Sequence, residues 1–176
     1  MNKTVYLVRH CQATGKESKA ELTEKGQEQA RELISFFKDR NIKQIISSPM
    51  KRAIQSVQPL ANNLGKQIKI DDRLSEHKLM SKDLKDWLDR IEDTLKDQDL
   101  KMVDGESSRK IAARGMEVLE AAQDGTILST HRNTMALLLI KLNGAKEIID
   151  WTKLSKPDVY EVKKENDTYI VKRIWE

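Results

Sequence analysis

The stretch Thr4-Val5-Tyr6-Leu7-Val8-Arg9-His10 decides the fold. Its apolar residues run on without alternating with polar ones, so Thr4 to Val8 reads as a short strand buried on both faces. Strands of that kind belong to parallel sheets covered by helices. Such sheets carry their chemistry at the carboxyl ends of the strands. Arg9 and His10 stand at that end. A guanidinium holds phosphate, and an imidazole beside it can attack phosphorus.

The chain continues in strand–helix alternation. After a polar loop, Gln12 to Ala20, Thr23 is placed to cap a helix whose buried stripe is Ala30, Leu33, Ile34 and Phe37. Ile42 to Ser47 reads as a second strand. Ser47-Ser48-Pro49 then announces a helix, with serine as its cap and proline at its first position. Ala53, Ile54, Val57, Leu60, Ala61 and Leu64 form its stripe, Pro59 is expected to kink it, and Gly65 ends it. Gln67 to Ile70 is a third strand.

From about residue 71 to 106 the pattern changes to a charge-rich helix with Met80, Leu84, Trp87, Leu88, Ile91 and Leu95 on one face, read as an inserted helical cap. A helix over Ser107–Ala122, a strand over Thr126–Thr130 and an apolar helix over Asn133–Leu142 follow. The tail reads as an antiparallel hairpin, Val159–Lys163 and Thr168–Ile174, turning at Glu165-Asn166-Asp167. The expected fold is therefore α/β. It is a three-layer, mostly parallel sheet flanked by helices, with a small helical insertion and a C-terminal antiparallel hairpin closing one edge. The whole chain, 1–176, is expected to form one domain.

Composition narrows the function classes. With 38% hydrophobic and 34% charged residues among 176, the chain suits a soluble globular domain and not a disordered one. The formal net charge of +4 is modest, and signs alternate along the chain, so neither nucleic acid nor membrane is expected as a partner. No apolar run approaches a bilayer-spanning length. The N-terminus does not read as a signal peptide. The single cysteine, Cys11, suits a reducing cytoplasm. No metal or organic cofactor is expected: no two histidines have close metal-ligand spacing, and no glycine-rich phosphate loop is present.

Phosphoryl transfer to histidine needs a neutral nucleophilic nitrogen, fixed cationic donors for three equatorial oxygens, and an acid for the leaving group. His10 is the candidate nucleophile and Arg9 precedes it. Arg52 lies in the first turn of the helix that begins near Pro49, where free N–H groups also favour anions. His131 ends the later strand as a second, protonated donor. Glu76, just past the third strand, is the candidate general acid. Each residue taken singly has a plain structural reading, and His77 has only that one. Their joint position at the ends and starts of different elements favours a site.

These residues lie in an ordered series: Arg9-His10, Glu21-Leu22-Thr23-Glu24-Lys25-Gly26, Ser47-Ser48-Pro49-Met50-Lys51-Arg52-Ala53, Leu74-Ser75-Glu76, Gly105-Glu106-Ser107 and Ser129-Thr130-His131. The series resembles the histidine phosphatase superfamily, the phosphoglycerate mutase-like clan, in its small phosphatase branch, from about residue 4 to 140. The resemblance implies phosphorylation of His10, a phosphate pocket of Arg9, Arg52 and His131, Glu76 as proton donor, and no cofactor. Two positions depart from the family: Cys11 and Arg132 stand where glycine is usual. A cysteine beside cationic groups could carry a lowered pKa and sense oxidants. Arg132 either contacts an acidic substrate or points to solvent. The family's tryptophan-asparagine pair is absent, and Gln12 and Thr14 are candidates to replace its polar contacts.

The chain is short for a mutase of this clan, which favours hydrolysis of a phosphomonoester, on a small molecule or a phosphoprotein. The alternatives are mutase-type transfer, a non-catalytic phospho-ligand binder, and a basic nucleic-acid module.

Overall fold

Side chains alternate along the first strand, and that alternation assigns each helix to a face. The computed structural model describes residues 2–76, 108–142 and 154–175. The first strand is β1, Lys3–Arg9. Its Tyr6 and Val8 pack with Leu33 and Phe37, and with Val57 and Leu60. These partners come from helices α1, Glu24–Phe37, and α2, Lys51–Leu64. The intervening Val5 and Leu7 pack on the opposite face with Val118, Leu119, Met135 and Leu138. Those side chains belong to α3, Ser108–Ala121, and α4, Arg132–Leu142. The result is the expected three layers. Phe37 is wholly buried, and trimming such a side chain to alanine costs about 3–5 kcal/mol.

The remaining strands are β2 (Gln44–Ser47), β3 (Ile68–Ile70), β4 (Thr126–Thr130), β5 (Asp158–Glu165) and β6 (Thr168–Arg173). They form one sheet in the order β3-β2-β4-β1-β5-β6. The first four neighbours run parallel. The hairpin β5–β6 adds antiparallel to β1 and closes that edge, as expected. Its turn is tighter than the sequence suggests, with Asn166 in the left-handed region at φ 58°.

Helix α1 starts where the sequence places it. Thr23 caps it by accepting a hydrogen bond from the Gly26 N–H at 3.0 Å, a device worth about 1 kcal/mol. Gly26 has a further reason to be glycine. A Cβ there would lie 2.0 Å from the Gln12 carbonyl oxygen, so the helix could not close on the loop that follows His10. That loop is itself clasped, through a bridge between Ala13 and Leu22.

Helix α2 departs from expectation at its start. Ser48 and Pro49 lie outside it, and the N-cap is Met50, which makes no side-chain capping bond. Ser48 still accepts from the Met50 N–H at 3.2 Å, and its hydroxyl also meets His131. Gly65 ends the helix at φ 65°, as read. Pro59 is accommodated within it, and the helix runs unbroken to Leu64. Beyond β3, Asp72–Leu74 form a 3-10 turn capped by the Asp71 side chain. The remainder of the expected cap, together with His77 and Gly105-Glu106-Ser107, lies outside the described residues.

Candidate active site

Strands β1 and β4 are parallel neighbours, with Arg9 opposite Thr130. Their carboxyl ends therefore coincide, and the residues that follow them, His10 and His131, meet. The two rings pack edge to face with centroids 5.2 Å apart. The His10 N–H donates to the Thr130 carbonyl at 3.1 Å, which fixes where the chain leaves the sheet.

His10 Nδ1 lies 2.7 Å from the Cys11 carbonyl oxygen. A carbonyl can only accept, so Nδ1 carries the proton and Nε2 keeps its lone pair. Arg52 Nε donates to that Nε2 at 3.3 Å. Burial, against the pull of the Cys11 carbonyl and with the nearby cations Arg52, Arg9 and Lys156, pushes the His10 pKa down to about 3. The ring is thus neutral at physiological pH, with its nucleophilic nitrogen facing a guanidinium.

Cys11 does not have the character of an oxidant sensor, which corrects that expectation. It is fully buried among Tyr6, Val8 and Leu22. Burial pushes its thiol up to about 12. Its backbone matters more. The Cys11 N–H donates to Ser56 Oγ at 2.7 Å, and that hydroxyl donates to the Arg52 carbonyl at 2.7 Å. One serine in α2 therefore ties the turn after His10 to the residue that faces it. Gln12, a candidate for the missing family contacts, is engaged at one end of its side chain. Its Oε1 accepts from the Thr23 hydroxyl at 2.8 Å, at the start of α1.

Both arginines are buried, and each braces a distant loop. Arg52 Nη1 donates to the carbonyls of Lys16 at 3.3 Å and Glu17 at 3.0 Å. Arg9 Nη1 donates to the carbonyls of Leu154 at 2.5 Å and Ser155 at 3.4 Å. Burial lowers the Arg9 pKa to about 10, helped by Arg132 and opposed by Glu76 and Asp158.

His131 is fully buried. Its Nε2 lies 2.8 Å from Ser48 Oγ, and that oxygen also accepts from the Met50 N–H at 3.2 Å. A hydroxyl has two lone pairs and one hydrogen, so Ser48 serves either tautomer of the ring and occupies Nε2 in both. Nδ1 has no hydrogen-bond partner, and neither do Arg9 Nε and Asn133 Oδ1. Buried polar atoms are almost always satisfied. Here three unsatisfied ones belong to residues at the ends of β1 and β4 and the start of α4. Arg9 Nε is a donor awaiting an acceptor, and His131 Nδ1 is one whenever it carries a ring proton. Burial, reinforced by His10, Arg52, Arg114 and Arg9, holds the His131 pKa well below its ordinary value. The protonated form expected from sequence therefore requires an anion beside it.

Glu76 reaches the start of α4. Its Oε1 accepts from the Thr134 N–H at 3.0 Å and the Thr134 hydroxyl at 3.2 Å, and its Oε2 accepts from the Asn133 N–H at 3.3 Å. Backbone N–H groups at a helix start suit a carboxylate. The charge of Glu76 is felt by Arg9, Arg52 and Arg132. Arg132, the first residue of α4, is half-buried rather than directed wholly to solvent.

The structure thus brings His10, His131, Arg9, Arg52 and Glu76 together. Sequence reasoning missed Ser48 as a histidine partner, Ser56 as a brace, and the 154–158 loop. Ser56 has one usable signal, its spacing of four residues from Arg52 on one helix. Among the described residues, no helix is long and apolar enough to cross a membrane, and no cluster of His, Cys, Asp or Glu could hold a metal ion.

The family model for the histidine phosphatase superfamily (branch 1) matches residues 5–175. A protein of Hydrogenobacter thermophilus named "Putative phosphoserine phosphatase 2" is 36% identical over 81 residues, 42% of this chain and 40% of that protein. The chain thus matches about two fifths of that relative's length. Among solved structures, a mycobacterial glucosyl-3-phosphoglycerate phosphatase with inorganic phosphate superposes with a TM-score of 0.78 at 20% identity, covering 98% of this chain and 96% of the other. A phosphoglycerate mutase from Bacillus anthracis superposes with a TM-score of 0.77 at 17% identity, covering 98% and 92%. Likeness at these identities speaks for the fold.

Proposed function

This chain belongs to the histidine phosphatase superfamily, and from that premise we propose that it hydrolyses phosphomonoesters through a phosphohistidine on His10. The observation that carries the reading is the state of that ring. The Cys11 carbonyl holds its proton on Nδ1, while Nε2 offers a lone pair 3.3 Å from Arg52 Nε. A nucleophile of this kind needs no deprotonation before it attacks.

The reaction runs in two displacements. His10 Nε2 forms a bond to phosphorus as the ester P–O bond breaks. The phosphomonoester monoanion passes its proton to the Glu76 carboxylate on binding, and the departing alkoxide takes that proton from Glu76. Arg9, Arg52 and His131 meet the three equatorial oxygens, whose charge stays high in a loose transition state. Water then attacks the phosphohistidine, giving its proton to the Glu76 carboxylate and releasing inorganic phosphate. The dianion also supplies what His131 lacks, since its charge favours the imidazolium that burial disfavours. Hydrolysis is preferred over mutase transfer on the likeness to "Putative phosphoserine phosphatase 2" and to a glucosyl-3-phosphoglycerate phosphatase. Among substrates, phosphorylated small molecules are favoured by the buried position of His10. A cytoplasmic setting fits the single cysteine.

Brief mixing with a 32P-labelled phosphomonoester followed by alkaline quench tests this. An acid-labile, alkali-stable label on His10, formed and lost at the rate of phosphate release, is expected. Phosphate release with no such intermediate defeats the mechanism. Binding with neither label nor release identifies a non-catalytic receptor.

A further inference from the structure

Helix α3 packs on the sheet through Val118 and Leu119, and one of its polar residues reaches toward the site. Arg114 extends to the 3-10 turn Asp72–Leu74 and donates from both ends of its guanidinium. Nη1 donates to the Arg73 carbonyl, and Nη2 donates to the Ser75 carbonyl at 2.9 Å. A planar guanidinium holds two acceptors in one fixed geometry, which the ammonium of lysine does not. The residue after Ser75 is Glu76.

Two threonines complete the grip. Thr130 Oγ1 donates to the Leu74 carbonyl at 2.6 Å, and Thr134 Oγ1 donates to the Ser75 carbonyl at 2.7 Å. The carbonyls of Arg73, Leu74 and Ser75 are thus each taken by a side chain, from α3, from the end of β4 and from the start of α4. The N–H groups of Leu74 and Ser75 are also engaged, on the carbonyls of Asp71 and Asp72 at 3.1 Å each. Leu74 anchors the arm, its side chain wholly buried beside Leu119 and Met135.

Satisfying buried polar groups does not account for Arg114. Its bond to the Arg73 carbonyl is exposed, where water would serve that oxygen as well. What the guanidinium adds is direction: it fixes the backbone just ahead of Glu76. The carboxylate of Glu76 is held in turn by the N–H groups of Asn133 and Thr134. Arg114 is close enough to the site for its charge to be felt by His131. A proton donor must stand within hydrogen-bond reach of the departing oxygen, and a misplacement of about 1 Å can cost on the order of 10²-fold.

We propose that Arg114 is a positioning residue that sets the backbone from which Glu76 gives and recovers its proton, and that it acts on turnover only through Glu76. This role rests on the reading of Glu76 as proton donor and adds the residue that keeps it in place.

Leaving-group chemistry tests it. Benzyl phosphate departs as an alkoxide that must be protonated, whereas 4-nitrophenyl phosphate departs as a stabilised phenolate that needs no acid, and kcat/KM compares them. Glu76→Gln sets the reference, with a loss of roughly 10²-fold or more on benzyl phosphate and a far smaller one on the nitrophenyl ester. Arg114→Met should lose about tenfold on benzyl phosphate and less than about twofold on the nitrophenyl ester, with the fold checked by circular dichroism. Added to Glu76→Gln, it should cost less than about twofold on either, since a residue acting through the acid then has nothing left to position. Arg114→Lys keeps the charge without the fork and should show the same selective loss to a smaller degree. It carries the test if the methionine variant does not fold. Equal losses on the two esters, losses that multiply with that of Glu76→Gln, or a lysine variant identical to the natural protein overturns the proposal. Absence of leaving-group selectivity in Glu76→Gln itself overturns the acid assignment, and this role with it.

Discussion

The ends of β1 and β4 each bring a histidine to one place, ring against ring, and the chain surrounds the two differently. At β1 a carbonyl holds the proton of His10 on Nδ1, leaving Nε2 as an acceptor beside a guanidinium. At β4 the hydroxyl of Ser48 occupies Nε2 of His131, leaving Nδ1 without a partner. Both rings are buried and held neutral. The proposed difference between nucleophile and anion-binder therefore lies in which neighbour takes the second nitrogen.

The comparison breaks most sharply when each ring is removed in turn. His10→Ala should abolish hydrolysis of an aryl phosphate, a loss on the order of 10⁴-fold or more, because no bond to phosphorus can form. His131→Ala should cost less, roughly 10²–10³-fold, the scale for loss of one transition-state donor. It should still allow a labelled His10 to be trapped. Equal losses, or label in the His10 variant, would show that the roles are misassigned.

Ser48→Ala separates the two rings further. It leaves His10 untouched and removes the one hydrogen-bond partner of His131 Nε2 among the described residues. A loss of up to about tenfold in kcat/KM is expected, the range of a single buried hydrogen bond. The nitrogen-15 shifts of His131 should move while those of His10 stay. No change in the His131 shifts would remove Ser48 from the account.

Burial of two neutral imidazoles also sets a pH dependence. The folded His10 pKa, about 3, lies below its ordinary 6.5, so the unfolded chain binds the proton first. Stability from this residue is complete above about pH 6.5 and is lost as pH falls toward 3. Melting temperature should therefore drop between pH 7.5 and 4.5 by a few degrees more in the natural protein than in His10→Gln. Parallel curves for the two proteins would contradict the burial argument.

How far these features were legible follows from the range of the forces that make them. Uninterrupted apolar runs marked the strands, and Thr23 and Gly65 marked helix ends, because caps are local devices. Arg9, His10, Arg52 and His131 could be read because strand ends and helix starts lie beside them in the chain. Ser48 does accept from the Met50 N–H as a cap would, but its bond to His131, 83 positions away, had no local trace. The 154–158 loop was invisible as part of the site. It reaches Arg9 only because β5 returns antiparallel beside β1 and sets Asp158 opposite that arginine.

The smallest expected effect concerns Cys11, and it bears on the same comparison. Its carbonyl sets the His10 tautomer and its N–H is fixed by Ser56, but the thiol faces the apolar layer between sheet and α1. A thiol pushed up to about 12 has almost no thiolate at neutral pH, and the thiolate is the reactive form. Iodoacetamide should therefore leave the folded protein unlabelled and its activity unchanged, while the denatured chain takes up one equivalent at its single cysteine. Rapid labelling of the folded protein with loss of turnover would mean that this side chain opens to solvent. The backbone that orients His10 would then be far less fixed than that of His131.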